Sequence, residues 1–239
     1  MISPIAFNIL GIDIRWYGIA YSVTFILSIE LSKYFSVYVN LEKKDIDIAS
    51  TFIIIGVILG ARLGEFLFYS DHFFTYEIFY FRNGGMSFHG GVLGVILGSL
   101  IYSFLYRKNF WAILDLTSIG APIGCFLGRC ANFINQEVIG IETDFFELGR
   151  HPVSLYEAFF EGIVLFFITF SYAKKIRCFP SGNVSAVFAL FYAIFRILLE
   201  NFRTPDGMIG FLSKGQFYSF IMLLFALMIL FKNRSIKNN

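Results

Sequence analysis

Apolar residues run along this chain in seven long stretches, each closed by a cluster of polar or charged positions. They extend roughly from Arg15 to Tyr34, Ile48 to Tyr69, Gly90 to Tyr106, Phe110 to Ile134, Ser154 to Ala173, Val184 to Phe202 and Gln216 to Phe231. A hydrocarbon core of about 30 Å takes about 20 helical residues to cross, so each stretch predicts a membrane-spanning helix. The basic residues between them alternate. Lys33, Lys43 and Lys44, then Arg107 and Lys108, then Lys174, Lys175 and Arg177, and finally Lys232, Arg234 and Lys237 fall on every second connection. Because cytoplasmic loops collect Lys and Arg, those connections are expected inside, with the N-terminus outside and the C-terminus cytoplasmic.

Glycine adds a second pattern. Gly56, Gly60 and Gly64, then Gly90, Gly94 and Gly98, then Gly120, Gly124 and Gly128 recur every four residues within stretches two, three and four. Such stripes let membrane helices meet backbone to backbone. A tight core of helices two to four is therefore expected, holding the polar residues at its end. Between stretches two and three, about 70–89, the aromatics Phe73, Phe74, Tyr76, Phe79, Tyr80 and Phe81 suit a segment lying in the outer interface. The connection of about 135–153 is short and predicts a small outer cap. The whole chain, 1–239, is expected to form one polytopic all-α membrane domain.

Composition agrees with the pattern. A hydrophobic content of 57% and a mean hydropathy of +0.69 exclude an ordinary soluble domain. No basic residue precedes Arg15, so a cleaved secretory leader is not expected. The three cysteines, Cys125, Cys130 and Cys178, carry neither a disulfide nor a zinc pattern. The net charge of +2 decides little by itself, and no nucleic-acid partner is expected from it.

The placement of individual charges decides more. Arg62, Arg129 and Arg196 lie in the outer halves of stretches two, four and six, all of which run outward. An arginine at a helix centre costs about 2.5–3.5 kcal/mol on insertion scales, so three at similar depth point to a wet cavity that attracts anions. Internal pairing is the alternative for two of them, and for Arg62 it is the preferred reading. Arg62 with Glu65 and Arg196 with Glu200 have i,i+3 and i,i+4 spacing. For Arg196 the stripe Tyr192, Arg196, Glu200 and Arg203 on one helix favours function instead. Arg129 and Asn132, with Gln136 if the helix continues, would share one face. Glu157 and Glu161 share another at the outer end, where balancing the arginines suits them better than acid–base work. No Walker loop, HExxH pair, GxSxG elbow or dinucleotide fingerprint is present.

Four runs carry a resemblance. They are Gly128-Arg129-Cys130-Ala131-Asn132-Phe133-Ile134-Asn135-Gln136-Glu137, Gly84-Gly85-Met86-Ser87-Phe88-His89-Gly90-Gly91, Arg150 to Glu157, and Glu200 to Asp206. Together they resemble the motifs of prolipoprotein diacylglyceryl transferases, bacterial membrane enzymes, in the family's order. The chain departs from the usual pattern at Ala131 and Gln136, where glycine is expected. Alanine still permits close backbone approach, whereas Gln136 is poorly suited to a positive φ.

The resemblance implies that a prolipoprotein's lipobox cysteine attacks the glyceryl carbon of phosphatidylglycerol, forming a thioether and releasing glycerol phosphate. His89 is the candidate receiver of the thiol proton, and the double glycines on either side of Ser87, Phe88 and His89 permit a sharp turn that aims it inward. Arg129 and Arg196 would clamp the phosphate, with Asn132 and Asn135 shaping the cradle. Tyr17 and Tyr192 would orient the headgroup, and Glu137, Glu200 and Arg203 would stand behind or gate the site. No metal or cofactor is called for, and the partners are phosphatidylglycerol, a prolipoprotein signal peptide and membrane lipids. The enzyme would sit in the bacterial inner membrane with its site at the outer leaflet. A transporter or channel for an organic anion also accommodates seven crossings, glycine stripes and buried arginines. The charges gather on one side rather than at the midplane, which counts against it.

Overall fold

A computed structural model describes residues 3–68, 86–146, 148–176 and 181–238. The first element is a hairpin, β1 (Ile5–Ile9) against β2 (Ile12–Arg15), turning at Leu10 and Gly11 with φ of 52° and 83°. Two successive positive φ values give the turn the twist that antiparallel strands need. The hairpin leads into α1 (Trp16–Phe35), whose start is tied back by Trp16 N–H donating to the Pro4 carbonyl at 3.2 Å. Then follow α2 (Lys43–Phe68), α3 (Phe88–Tyr106), α4 (Phe110–Asn135), α5 (Val153–Lys175) and α6 (Asn183–Leu199). A second hairpin, β3 (Met208–Ile209) with β4 (Leu212–Ser213), precedes α7 (Lys214–Asn238).

The chain is an all-α integral membrane protein. Six of the helices, α2 to α7, are long and apolar enough to cross a bilayer. The expected first crossing, α1, is 20 residues long but carries Ser22, Thr24, Ser28, Glu30, Ser32 and Lys33 along it. Much of that polarity faces protein: Ser28 Oγ donates to the Gly120 carbonyl at 3.2 Å and Ser32 Oγ to the Leu116 carbonyl at 3.4 Å. Leu97, Phe104, Phe167, Leu224 and Phe231 lie exposed along the helices, as a lipid-facing surface requires. The two short hairpins were not predicted.

Two pairings set the helix spacing. In α2 against α3, a Cβ on Gly94 would stand 1.9 Å from the Gly56 carbonyl oxygen, and one on Gly60 would stand 2.5 Å from that of Gly90. The two stripes thus interlock backbone to backbone, as expected. The third stripe does something else. Gly120 and Gly124 of α4 face Ser28 and Thr24 of α1, so the close contact of α4 is with α1 rather than with a core of helices two to four.

The end of the bundle that carries most of the basic residues is clasped by polar contacts. Lys108 Nζ lies 2.8 Å from Asp45, and Lys33 Nζ 2.8 Å from Asp47. Asp115, buried in α4, accepts from the N–H groups of Gly182 and Ser185 at 2.9 Å each and from Ser185 Oγ at 2.7 Å, capping α6 from outside. Asn233 of α7 joins the same corner by donating to the Ser181 carbonyl and to Asn183 Oδ1. Most of the expected interfacial segment, Arg82, Gly84, Gly85, Glu147, Arg177 and Cys178 lie outside the described residues.

Candidate functional site

At the opposite end, α4 brings its last two turns up to a polar layer. Asn109 caps the helix at its start by accepting from Trp111 N–H at 2.9 Å, and Gln136 ends it in the left-handed conformation, φ 55°. Gln136 is therefore the cap of α4 and not a further position on its face. Its backbone N–H donates to the Asn132 and Phe133 carbonyls. Glutamine takes the conformation for which glycine is the natural residue, and Ala131 is buried within the helix.

Beyond that cap the chain turns back so that Glu137 meets the helix it has just left. Its carboxylate accepts from the Tyr17 hydroxyl of α1, from Asn132 Nδ2 at 3.3 Å and from Asn135 Nδ2 at 3.1 Å. Asn132 also donates to Tyr17 Oη. Four of the sequence-predicted residues, Tyr17, Asn132, Asn135 and Glu137, therefore form one hydrogen-bonded cluster with the carboxylate at its centre.

One turn deeper lies a second cluster, in which arginines from separate elements converge on buried carboxylates of α5. Arg129 Nε lies 3.2 Å from Glu157 and its Nη2 3.1 Å from Glu161. Arg196 of α6 pairs with the other oxygen of Glu157 and, at 2.8 Å, with Glu200. Arg203 Nη1 approaches Glu157 at 3.7 Å, and its other amino group pairs with Asp206. Glu157 and Glu161 are both 0% exposed, so these charges are sheltered from water and removing one partner would strand the other as a costly buried charge. Residues 158–164 of α5 form a π-helical turn, with Gly162 set tightly against Phe126 of α4. Single π turns recur at functional sites.

Arg129 and Arg196 thus come together as predicted, whereas the third guanidinium on Glu157 belongs to Arg203. Arg62 instead lies with its guanidinium carbon 5.0 Å from the Phe66 ring centroid. Glu200 is anchored by Ser213 Oγ at 2.8 Å, and Gly215 lets it and Arg196 pack against the start of α7. Tyr192 is buried with its ring stacked on Phe88 at 4.1 Å, and its hydroxyl has no hydrogen-bond partner among the described residues. His89 sits in the first turn of α3, which Ser87 caps by accepting from Gly90 N–H at 3.2 Å. Its ring lies 5.3 Å from that of Tyr218. Gly90 and Gly91 are not part of a turn. They lie inside α3, where Gly90 packs on Gly60 and Gly64.

The connection that follows α4 folds back on the end of α6. It is pinned by Ile141 N–H to the Phe202 carbonyl at 3.0 Å and by Thr204 N–H to the Ile139 carbonyl at 3.0 Å. Glu157 and Glu161 were legible in the sequence as a shared face balancing arginine. Which arginines they hold, and the roles of Ser213 and Gly215, had no local signal because they depend on contacts between helices far apart in the chain.

This arrangement offers bidentate cations and amide donors at one end of a membrane bundle, which is the chemistry of phosphate recognition. Comparison with known proteins agrees. The family described as prolipoprotein diacylglyceryl transferase matches residues 4–232. The chain is 38% identical to the phosphatidylglycerol–prolipoprotein diacylglyceryl transferase of Campylobacter curvus, covering 96% of this chain and 93% of that protein. It is 34% identical to the enzyme of the same name from Buchnera aphidicola, covering 97% and 96%. For that of Campylobacter hominis the identity is 39%, over 93% and 88%.

Proposed function

This chain belongs to the prolipoprotein diacylglyceryl transferase family, and on that premise we propose how its residues divide the work. The protein is a transferase of lipoprotein biosynthesis that moves the diacylglyceryl group of phosphatidylglycerol to a prolipoprotein. The acceptor is the thiol of the lipobox cysteine. Its sulfur attacks the glyceryl carbon bonded to the phosphate oxygen, a C–S bond forms as the C–O bond breaks, and glycerol phosphate departs.

The observation that supports this assignment best is the meeting of Arg129 and Arg196, from two helices, on one buried carboxylate beside the Tyr17–Asn132–Asn135–Glu137 cluster. Two planar guanidinium groups hold the headgroup phosphate and oppose the charge it gains on leaving. Asn132 and Asn135 shape the cradle above them. Tyr17, oriented by Glu137, sets the headgroup, and the stacked Tyr192 forms its floor. Arg203 and Glu200 stand behind Arg196 and hold it in register.

A thiol with a pKa near 8.5 is only a few per cent ionised at neutral pH, so sulfur needs a proton acceptor. His89, in the first turn of α3, is assigned that role. The site end of the bundle faces the outer leaflet of the cytoplasmic membrane, where phosphatidylglycerol and the exported signal peptide meet.

The test is thioether formation on a lipobox peptide from labelled phosphatidylglycerol, with purified protein. Arg129→Ala is expected to lower transfer at least about 100-fold, the usual cost of removing one charge-stabilising donor. Normal lipidation by that variant, or anion flux through proteoliposomes without lipidation, would overturn the assignment.

A further inference from the structure

The arginines of the site are already neutralised. Arg129, Arg196 and Arg203 face three buried carboxylates, Glu157, Glu161 and Glu200, and Arg203 also pairs with Asp206. Arg129 turns its Nε and Nη2 toward these glutamates and has further N–H groups on Nη1. An incoming headgroup therefore competes with a resident anion for the charge of the same guanidinium. The three glutamates are not equally placed for this. Glu157 is held by three arginines at once, and Glu200 is fixed by Ser213 Oγ as well as Arg196. Glu161 touches Arg129 through a single oxygen, at 3.1 and 3.3 Å. Its other oxygen is buried with no hydrogen-bond partner among the described residues.

We propose that Glu161 is a positioning residue acting through Arg129, a resident counter-ion that the lipid phosphate displaces on binding and that retakes Arg129 when glycerol phosphate leaves. This rests on the assignment of Arg129 to the phosphate. The chemistry supplies the need for it. In the substrate the phosphate is a diester with one negative charge. When the C–O bond breaks and the thiol proton passes to the base, it becomes a monoester carrying about −1.5 to −2 at pH 7. Uncompensated arginines would hold that product more tightly than the substrate and stall turnover. A carboxylate kept beside Arg129 competes with the product and speeds its release. The π turn that carries Glu161 sets it one turn below Glu157, so both reach the same arginine.

The experiment measures KM for phosphatidylglycerol, kcat and inhibition by free glycerol phosphate on the full chain in mixed micelles. For Glu161→Gln the inhibition constant of glycerol phosphate is expected to fall about tenfold or more. KM falls with it while kcat drops, and a burst of about one turnover precedes the steady state. Glu161→Asp, which keeps the charge, returns all of these toward the unaltered protein. A raised KM with unchanged product inhibition in Glu161→Gln would show a merely structural role and overturn the proposal. The unaltered protein gives a check that needs no variant. Glycerol phosphate is expected to inhibit it only near or above the KM for the lipid, and inhibition far below that concentration would overturn the proposal. If Arg129→Ala leaves both lipidation and product inhibition normal, the underlying phosphate assignment fails instead. A strong Arg129→Ala effect beside an indifferent Glu161→Gln fails the counter-ion alone.

Discussion

Gln136 carries a cost that its neighbours do not. An L-residue in the left-handed region loses roughly 1 kcal/mol relative to glycine, because its Cβ crowds the following carbonyl. The conformation persists because Gln136 N–H closes the end of α4 and returns the chain so that Glu137 can meet Tyr17 and the two asparagines. Gln136→Gly is expected to raise thermal stability in detergent by about 0.5–1 kcal/mol and leave lipidation unchanged. A lower melting temperature would mean that the glutamine side chain contributes a compensating contact. At this scale the sequence was informative for Arg129, Asn132 and Glu137, whose residue types are out of place in an apolar helix end unless they do something. It gave Glu157 and Glu161 as carboxylates that balance arginine, but not which guanidinium each one holds, since that depends on how α4, α5 and α6 pack.

Among elements, the glycine stripes separate two kinds of contact. Gly94 has backbone on its far side, and backbone cannot rotate away, so Gly94→Ala has to push α2 and α3 apart. Gly128 has nothing within 4 Å of the same position. Gly94→Ala is expected to lose most of its folded protein in membranes, while Gly128→Ala accumulates normally, as fluorescence-detected size exclusion would read. Equal yields would dissolve the distinction. The cap of α6 is as specific. Asp115→Ala leaves the N–H groups of Gly182 and Ser185 and the Ser185 hydroxyl without their buried acceptor, at a cost of about 2–4 kcal/mol. A thermal melt shows this as a clear drop with the site residues untouched. Helix existence was legible from apolar length, and glycine periodicity identified the α2–α3 seam. That the α4 stripe meets α1 was not legible, because Ser28 and Thr24 look like ordinary polar residues in a crossing until Gly120 and Gly124 are brought against them.

At the scale of the molecule, alternating helix direction gathers the odd-numbered starts and even-numbered ends at one face, and every predicted site residue lies there. Most of the basic residues on loops and helix ends lie at the other face, which the positive-inside rule predicts to be the cytoplasmic one. Asp144→Cys in the exposed connection after α4 is therefore expected to react with a membrane-impermeant maleimide in spheroplasts, and Lys43→Cys only after lysis. The reverse pattern would put the arginine cluster on the wrong side for an exported substrate. The sequence by itself determined the class of protein, the place of six apolar helices that are long enough to cross a bilayer, and the charged residues that have no place in hydrocarbon, because all three follow from transfer free energies summed along the chain. Only the tertiary structure decided that Arg203 rather than Arg62 joins Arg129 and Arg196, that Glu157 sits among all three, and that Glu161 holds Arg129 by one oxygen. Those are distances between helices, set by which backbones approach closely enough to bury a charge, and no local pattern encodes them.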